Sequence, residues 1–190
     1  TITQPAGGLT ASVSGAGSQV NVSCFGGTNG SATATAAGGT SPYTYTWNTV
    51  PAQYTATATN LASGTYTVTV KDANNCSATA SVTITQPSAA LSASISGQIN
   101  VACFGNNTGS ATVSATGGTS PYTYTWNTIP AQYTATATGL VAGTYTATVR
   151  DANNCSTTVS VTITQPAGGL TASVSGAGSQ INVSCDWSSD

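Results

Sequence analysis

The sequence predicts an all-β fold built from tandem β-sandwich units, each about 80 residues long, a length typical of one sandwich repeat. Three observations support this prediction: a long internal repeat, a two-residue alternation of apolar and polar side chains, and clusters of turn residues between the alternating segments. Since every second residue of a strand points to the same side, the alternation indicates strands that are buried on one face.

The internal repeat keeps a constant spacing, so that Trp47 recurs as Trp126 and Gly64 as Gly143. Residues 20–87 and 99–166 are identical at 52 of 68 aligned positions, and a third copy begins at Ala167. A period of this length identifies one folded unit per repeat. The predicted organisation is the end of a preceding repeat at 1–5, repeat 1 at 6–87, repeat 2 at 88–166 and the start of a truncated third repeat at 167–190.

Within one repeat, the alternation is clearest in residues 43–47, 65–70 and 81–85, where aromatic or branched side chains alternate with Thr or Ser. Turn residues such as Asn29-Gly30 and Gly38-Gly39 separate the strands. About seven short strands and no helical pattern in each repeat predict an Ig-like β-sandwich.

The composition argues against several classes of function. Charged residues make up 3% of the chain, the net charge is −2, and neither His nor Glu occurs. Such a chain lacks the basic field that binds nucleic acid, and its short apolar runs predict no membrane insertion. Each repeat offers one Asp and no base for its Ser or Thr hydroxyls, so we expect no enzyme, no cofactor and no metal site. The Asp72-Ala-Asn-Asn and Asp151-Ala-Asn-Asn segments are interpreted as Asx turns rather than as calcium loops.

Three ordered motifs carry a family resemblance. They are Gly-Gly-Thr-Ser-Pro-Tyr-Thr-Tyr-Thr-Trp at 38–47, Leu-Ala-Ser-Gly-Thr-Tyr-Thr-Val-Thr-Val-Lys-Asp-Ala-Asn-Asn-Cys at 61–76 and Val-Thr-Ile-Thr-Gln-Pro at 82–87. All three recur in repeat 2. The set resembles the SprB repeat of gliding-motility and cell-surface adhesins, a type of PKD- or Ig-like tandem repeat. The resemblance implies a long surface-exposed fibre or adhesin of gliding or related bacteria, exported by the type IX route.

The cysteines are expected to form disulfides, because an extracellular setting favours them and a small Ala-rich core gains from a covalent link. Pairing within each repeat would join Cys24 to Cys76 and Cys103 to Cys155. Cys185 would then find its partner beyond the given sequence. Pairing between neighbouring repeats stays open as an alternative, because spacing alone does not fix disulfide connectivity.

The aromatic residues divide into a core set and a surface set. Trp47 occupies the third strand, where an Ig domain places its core Trp, and Leu61-x-x-Gly64-x-Tyr66 resembles a tyrosine corner. The core aromatic residues are therefore predicted to be Trp47, Trp126, Tyr66 and Tyr145. Tyr54 and its counterpart Tyr133, in Pro-Ala-Gln-Tyr segments, are the candidate surface contacts.

These observations predict a structural or adhesive repeat region of a long extracellular filament at the cell surface. Its partners would be copies of itself or neighbouring repeats, and polysaccharide or other surface ligands. Two alternatives stay open: an array of carbohydrate-binding modules, and a non-catalytic stalk of a larger secreted protein. We expect the chain to be a stretch of a longer polypeptide; subunits that complete one another's sandwiches by strand addition are the alternative.

Overall fold

The structure, a computed structural model, describes residues 7–172. The predictions for residues 1–5, for most of the third repeat and for Cys185 lie outside the described residues. Contacts divide the described chain into two compact units. The first unit contains the chain up to Ala93 together with Ala115–Thr123 and Val149–Thr157, and the second contains Ser94–Ser114, Tyr124–Thr148 and the chain from Thr158. The repeat boundaries at 6–87 and 88–166 stay a prediction.

Repeat 1 folds into eight short strands, and no helix occurs among residues 7–172. β2, β3 and β6 form one three-stranded sheet, β5, β7 and β8 form another, and β1 pairs with β4. The all-β, Ig-like fold predicted from the alternation is confirmed. The strands are β1 (Thr10–Ser12), β2 (Gln19–Val20), β3 (Gly30–Thr33), β4 (Thr35–Ala37), β5 (Thr44–Trp47), β6 (Thr57–Leu61), β7 (Gly64–Lys71) and β8 (Ser77–Ile84).

Repeat 2 uses fewer and longer strands for the same sequence pattern. Its copy of the first segment lacks three residues, with Gly97-Gln98 standing where repeat 1 has Gly15–Gln19. The interruption between β1 and β2 is thereby removed, and a single continuous strand forms there. The strands are β9 (Ser92–Ile99), β10 (Gly109–Thr116), β11 (Thr123–Trp126), β12 (Thr136–Leu140), β13 (Gly143–Arg150) and β14 (Ser156–Ile163); they form the sheets β12-β10-β9 and β11-β13-β14.

The core of repeat 1 takes side chains from both of its three-stranded sheets. Ala32 and Ala58 come from β3 and β6, while Trp47, Val68 and Ile84 come from the facing sheet, and all five are buried. The small alanines of one sheet leave room for the large indole of the other, so that the two layers interdigitate. Small-against-large packing explains how a sequence so rich in Ala and Thr encloses a core.

Strand register places the two cysteines of repeat 1 at opposite ends of β8. Antiparallel pairing of β7 with β8 sets Lys71 opposite Ser77 at one end and Gly64 opposite Ile84 at the other. Cys76 immediately precedes the first of these ends. At the other end the N–H of Val22, two residues before Cys24, donates to the carbonyl of Thr85 at 2.9 Å.

Candidate linkage and binding sites

The turn between β7 and β8 is organised by the carboxylate of Asp72, which is 6% exposed. It accepts hydrogen bonds from the backbone N–H groups of Thr40 (3.0 Å), Asn74 (2.9 Å) and Cys76 (2.9 Å). The Thr40 N–H, followed by those of Cys76 and Asn74, lowers the pKa of Asp72 below its ordinary value of 3.8, against the opposing effect of burial. As the sequence indicated, this Asp belongs to a turn, and here it also anchors a second loop.

The loop before β5 approaches this carboxylate at Gly39, the second of two consecutive glycines. Gly39 has φ +62°, a left-handed conformation that side chains rarely adopt, and a Cβ there would lie 2.8 Å from Asp72 Oδ2. Its N–H donates to the Gly7 carbonyl at 3.1 Å. A glycine at position 39 of the repeated motif is therefore required by backbone geometry and by the close approach of the buried carboxylate.

Repeat 2 builds the same turn from the same residues. Asp151 is 4% exposed and accepts the N–H groups of Thr119, Asn153 and Cys155, each at 2.9 Å. The Asn153 amide donates to Thr119 Oγ1 at 3.1 Å, as Asn74 does to Thr40 Oγ1 at 3.0 Å. The structure thus offers two copies of one turn, each ending in a cysteine.

The cysteine of the second turn is bonded to the cysteine loop of repeat 1. Cys155 forms a disulfide with Cys24, with their Cα atoms 5.7 Å apart, and both residues belong to the first compact unit. Two further contacts accompany the bond: the Asn153 amide donates to the Ser23 carbonyl at 3.0 Å, and Cys155 Sγ lies 3.5 Å from the same oxygen. Phe25 lines a small cavity beside the disulfide with Leu91 and Gly118.

The predicted pairing within each repeat, Cys24 with Cys76 and Cys103 with Cys155, is therefore wrong, and the alternative between neighbouring repeats is correct for Cys24. Eight strand residues separate the two ends of β8, a distance of about 25 Å. A disulfide requires Cα atoms within about 7 Å of each other. In repeat 2, Cys155 precedes β14, while Val101 near Cys103 bonds Thr164 beyond its far end. The strand length thus excludes both predicted pairs.

Cys76 is a free, exposed thiol in the part of the chain that the structure describes.

The loop that carries Cys24 is held on its own sandwich by two hydrogen bonds. The Gly26 N–H donates to Gln86 Oε1 at 2.8 Å, and the Ser23 N–H donates to Asn29 Oδ1 at 3.0 Å. Cys103 occupies the matching position of repeat 2 and is half-buried.

The predicted core aromatic residues differ in how deeply they are buried. Trp47 and Trp126 are 0% and 1% exposed, and each indole N–H donates to a backbone carbonyl, of Thr55 and of Thr134, at 3.0 Å. Tyr66 and Tyr145 are half-buried. Their hydroxyls donate to the carbonyls of Ala62 (3.2 Å) and Val141 (3.1 Å), which is the geometry of a tyrosine corner.

The loop between β5 and β6 presents the candidate surface contacts. Tyr54 and Tyr133 are 71% and 70% exposed, and Val50 and Ile129 in the same loops are almost fully exposed. The loop is nonetheless held in place, because the Gln53 side chain both donates to the Thr59 carbonyl at 3.0 Å and accepts its N–H at 2.9 Å. Each repeat therefore displays an apolar side chain and a Tyr on a fixed loop.

Residues 7–172 contain no group of three or more His, Cys, Asp or Glu side chains that could hold a metal ion. Within the same range, no helix is long and apolar enough to cross a membrane. Every buried side-chain nitrogen or oxygen described has a hydrogen-bond partner.

The fold and the repeated motifs together define an all-β protein of tandem Ig-like repeats. The family model described as the SprB repeat matches residues 16–52 and 98–131, which occupy corresponding positions of the two repeats. The resemblance inferred from the motifs is thereby confirmed over these two segments. No curated protein matches the chain.

Several solved structures match the chain at low sequence identity. The three N-terminal domains of the bacteriophage RB49 Highly Immunogenic Outer Capsid protein match at 18% identity, with 83% of this chain and 58% of that chain covered and a TM-score of 0.47. The tetra-tandem repeat in the extending region of a large adhesion protein matches at 20% identity (83% and 49% covered, TM-score 0.29). The N-terminal four Ig domains of Dscam1 isoform 6.44 match at 17% (72% and 40% covered, TM-score 0.29). The chain spans about half of the length of these proteins.

Proposed function

We propose that the chain is a structural and adhesive repeat region of a long extracellular protein at a bacterial cell surface, where the repeats form a disulfide-linked fibre. The observation that carries the proposal is the Cys24–Cys155 disulfide, which joins residues of two successive sequence repeats. Disulfides persist in oxidising compartments outside the cytosol. A covalent link between successive repeats resists separation under tension, as an adhesive fibre requires. Gliding motility and type IX export enter the proposal through the SprB resemblance alone.

Composition supports a structural function for the same chain. Its surface carries hydroxyl and amide groups rather than charges, since charged residues make up only 3%. Cross-strand pairs of hydroxyl side chains line the outer face of the sheet, for example Thr67 Oγ1 with Ser81 Oγ at 2.9 Å. Such pairs stabilise a sheet face that is open to solvent. Repeats of this kind act through length and multivalency rather than through a catalytic group.

Surface labelling of intact cells of the source organism tests the proposal. Antibodies raised against the 190-residue chain should label unpermeabilised cells, and external protease should remove the label. Denaturing electrophoresis under reducing conditions should then show a species much larger than 18.6 kDa, the mass of the given chain. Labelling that appears only after the cells are permeabilised would reject the proposal.

Polysaccharide binding by the β5–β6 loops is the second candidate function. The exposure of Tyr54 and Tyr133 favours it, because aromatic rings on a fixed loop supply contact area at low entropic cost. A glycan array probed with the chain and with the Tyr54→Ala/Tyr133→Ala variant tests it. Binding that the double variant loses while its melting temperature is unchanged supports this function, and binding unaffected by the double substitution contradicts it.

A further inference from the structure

The turn that ends in Cys76 is built like the turn that ends in Cys155, but no cysteine loop among residues 7–172 is bound to it. Both have the sequence Asp-Ala-Asn-Asn-Cys-Ser, and both face a Gly-Gly-Thr loop. The carboxylates of Asp72 and Asp151 accept the same three backbone N–H groups at 2.9 to 3.0 Å. The turn is therefore built identically in the two repeats, and within the described chain only one copy is covered by a cysteine loop.

The uncovered copy differs from the covered one in two contacts. Asn153 donates both to Thr119 and to the Ser23 carbonyl of the docked loop, whereas the only acceptor that the described residues provide for the Asn74 amide is Thr40. Cys155 is half-buried and disulfide-bonded, while Cys76 is exposed and free. Among residues 7–172, the same two side chains thus hold a cysteine loop in repeat 2 and contact no such loop in repeat 1.

We infer that this surface of repeat 1, made of Gly38–Thr40 and Asp72–Ser77 and called here the Cys76 face, binds the cysteine loop of a preceding repeat through a disulfide to Cys76. The occupant is a loop of the Ser23–Gly26 type, which offers a backbone carbonyl to Asn74, a thiol to Cys76 and an aromatic ring beside them. The inference rests on the proposed tandem fibre, since it takes the preceding repeat to be of the same kind.

The approach to the Cys76 face also matches that of the occupied copy. Gly39 N–H bonds the Gly7 carbonyl at 3.1 Å, as Gly118 N–H bonds the Ala89 carbonyl at 3.0 Å. A Cβ at Gly39 or at Gly118 would lie 3.2 Å from the Cβ of Leu9 or of Leu91 respectively. The chain therefore enters repeat 1 along the path by which it enters repeat 2, where the preceding loop is docked.

Bond formation proceeds by thiol–disulfide exchange with a small disulfide such as oxidised glutathione. The Cys76 thiolate attacks this disulfide, forming a mixed disulfide and releasing one glutathione thiolate. The thiolate of the docked loop then attacks the Cys76 sulfur and releases the second glutathione thiolate. Two protein thiols are oxidised to one disulfide while one glutathione disulfide is reduced to two thiols, so that electrons and protons balance.

A lengthened chain tests the inference directly. Thr1–Pro5 is replaced by a copy of residues 6–87, which is joined directly to Ala6. The copy ends in residues 83–87, which have the same Thr-Ile-Thr-Gln-Pro sequence as Thr1–Pro5, so the sequence at the junction is unchanged. The added copy carries Cys76→Ser, and Val20→Ile marks its cysteine peptide by one methylene; Ile occupies the corresponding position 181 of the third repeat. After oxidation with glutathione, free thiols are alkylated, and peptic digestion at low pH is followed by mass spectrometry.

We expect the marked Cys24 peptide to be linked to Cys76, and the unmarked Cys24 peptide to Cys155 in the same molecules. In the 190-residue chain Cys76 should instead be recovered alkylated or as its mixed disulfide with glutathione, and not linked to another cysteine of the chain. A lengthened chain that forms the Cys24–Cys155 link but leaves Cys76 alkylated or bound to glutathione, or that links Cys76 to a cysteine other than the marked Cys24, overturns the inference.

A second lengthened chain guards against misfolding of the first. It carries a copy of residues 88–166 before Ala6, which reproduces the natural junction Pro166-Ala167 because residues 167–185 repeat 6–24 with one change. Its loop, the copy of 102–105, should link to Cys76. Failure of Cys76 to link in either chain, while Cys24–Cys155 forms in that chain, rejects the inference, and neither result depends on the cellular location that tests the proposed function.

Discussion

The two copies of the cysteine turn share their sequence and their internal hydrogen bonds, and they differ in what lies across from them. Cys155 faces the loop of Ser23 and Cys24 and is bonded to it, whereas Cys76 is a free thiol in solvent within the described chain. Since the carboxylates of both copies accept the same N–H groups at nearly equal distances, the turn does not change shape when it is occupied. The state of each cysteine therefore depends on its neighbour rather than on its own repeat.

The comparison shows that folding of a repeat and its linkage to a neighbour depend on different residues. The fold of a repeat depends on the buried core and on the Asp-centred turn, both of which are present in each copy. Linkage depends on a cysteine at each end of the last strand, and one repeat cannot satisfy it alone. Each repeat thus has its own buried residues and its own Asp-centred turn but only half of a link, which suits an array whose length is not fixed.

Removing one cysteine of the linked pair should produce the largest loss of stability and should distinguish the two turns most clearly. The disulfide spans a sequence separation of 131 residues, for which the chain-entropy model gives up to about 5 kcal/mol. We expect Cys155→Ser to lower the free energy of unfolding by up to that amount in urea titrations followed by circular dichroism. Cys76→Ser is the matched control and should change it by less than about 0.5 kcal/mol. Equal effects of the two substitutions would show that the turns are not distinguished by their occupants.

The buried indoles should show the opposite behaviour, with equal effects in the two repeats. Truncating a fully buried Trp costs about 3–5 kcal/mol, and Trp47 and Trp126 have matching burial and matching N–H donors. Trp47→Ala and Trp126→Ala should each destabilise the chain by that amount in the same urea assay. If only one of the two variants were destabilised, the cores of the repeats would not be equivalent.

The connection between β5 and β6 explains why sequence predicted the strands and missed the disulfide. Gly30, Leu61 and Ile84 meet at one end of the sandwich, and β6 is antiparallel to β3 while β5 is antiparallel to β7. As a result β5 and β6 run in the same direction, because the chain crosses between sheets there instead of turning as a hairpin. If every connection were a hairpin, Cys76 would lie beside Cys24. Alternation reports which face of a strand is buried, but it does not report strand direction.

The site residues follow the same division between local and non-local information. Burial of Trp47 and exposure of Tyr54 follow from side-chain alternation and from a Pro-containing loop, both of which are local features. The contact of Asn153 with Ser23 joins residues 130 positions apart. In the sequence, the only indication of pairing between repeats is the length of β8, which is too long for a disulfide to join its two ends.

The pH dependence of stability tests the role of Asp72 in the turn that ends in Cys76. Hydrogen bonds from Thr40, Cys76 and Asn74 lower the pKa of Asp72, so that the ionised carboxylate stabilises the folded state. This contribution is fully present above the ordinary value of 3.8 and is lost as the pH falls through the lowered folded value. The melting temperature should therefore fall on acidification below about pH 4, a range fixed by the ordinary Asp pKa. The Asp72→Asn variant should start lower at neutral pH and show a shallower acid dependence, and an unchanged acid slope would contradict the role given to this carboxylate.

The smallest expected effect concerns the amides that distinguish the two turns. Asn153 donates to Thr119 within its own turn and to Ser23 of the docked loop, whereas Asn74 has only the first kind of contact among the described residues. One net hydrogen bond contributes about 0.5–1.5 kcal/mol, so Asn153→Ala should destabilise the oxidised chain more than Asn74→Ala by that amount, and exposure of both side chains favours the lower end. Repeating the pair in a Cys155→Ser background supplies the control, because contacting groups couple in a double-mutant cycle. Without the disulfide the loop is less firmly docked, so the difference between the two Asn variants should shrink. A difference that persists in full would mean that Ser23 stays in place without the covalent bond, and the amide contact would then act as a separate lock on the loop.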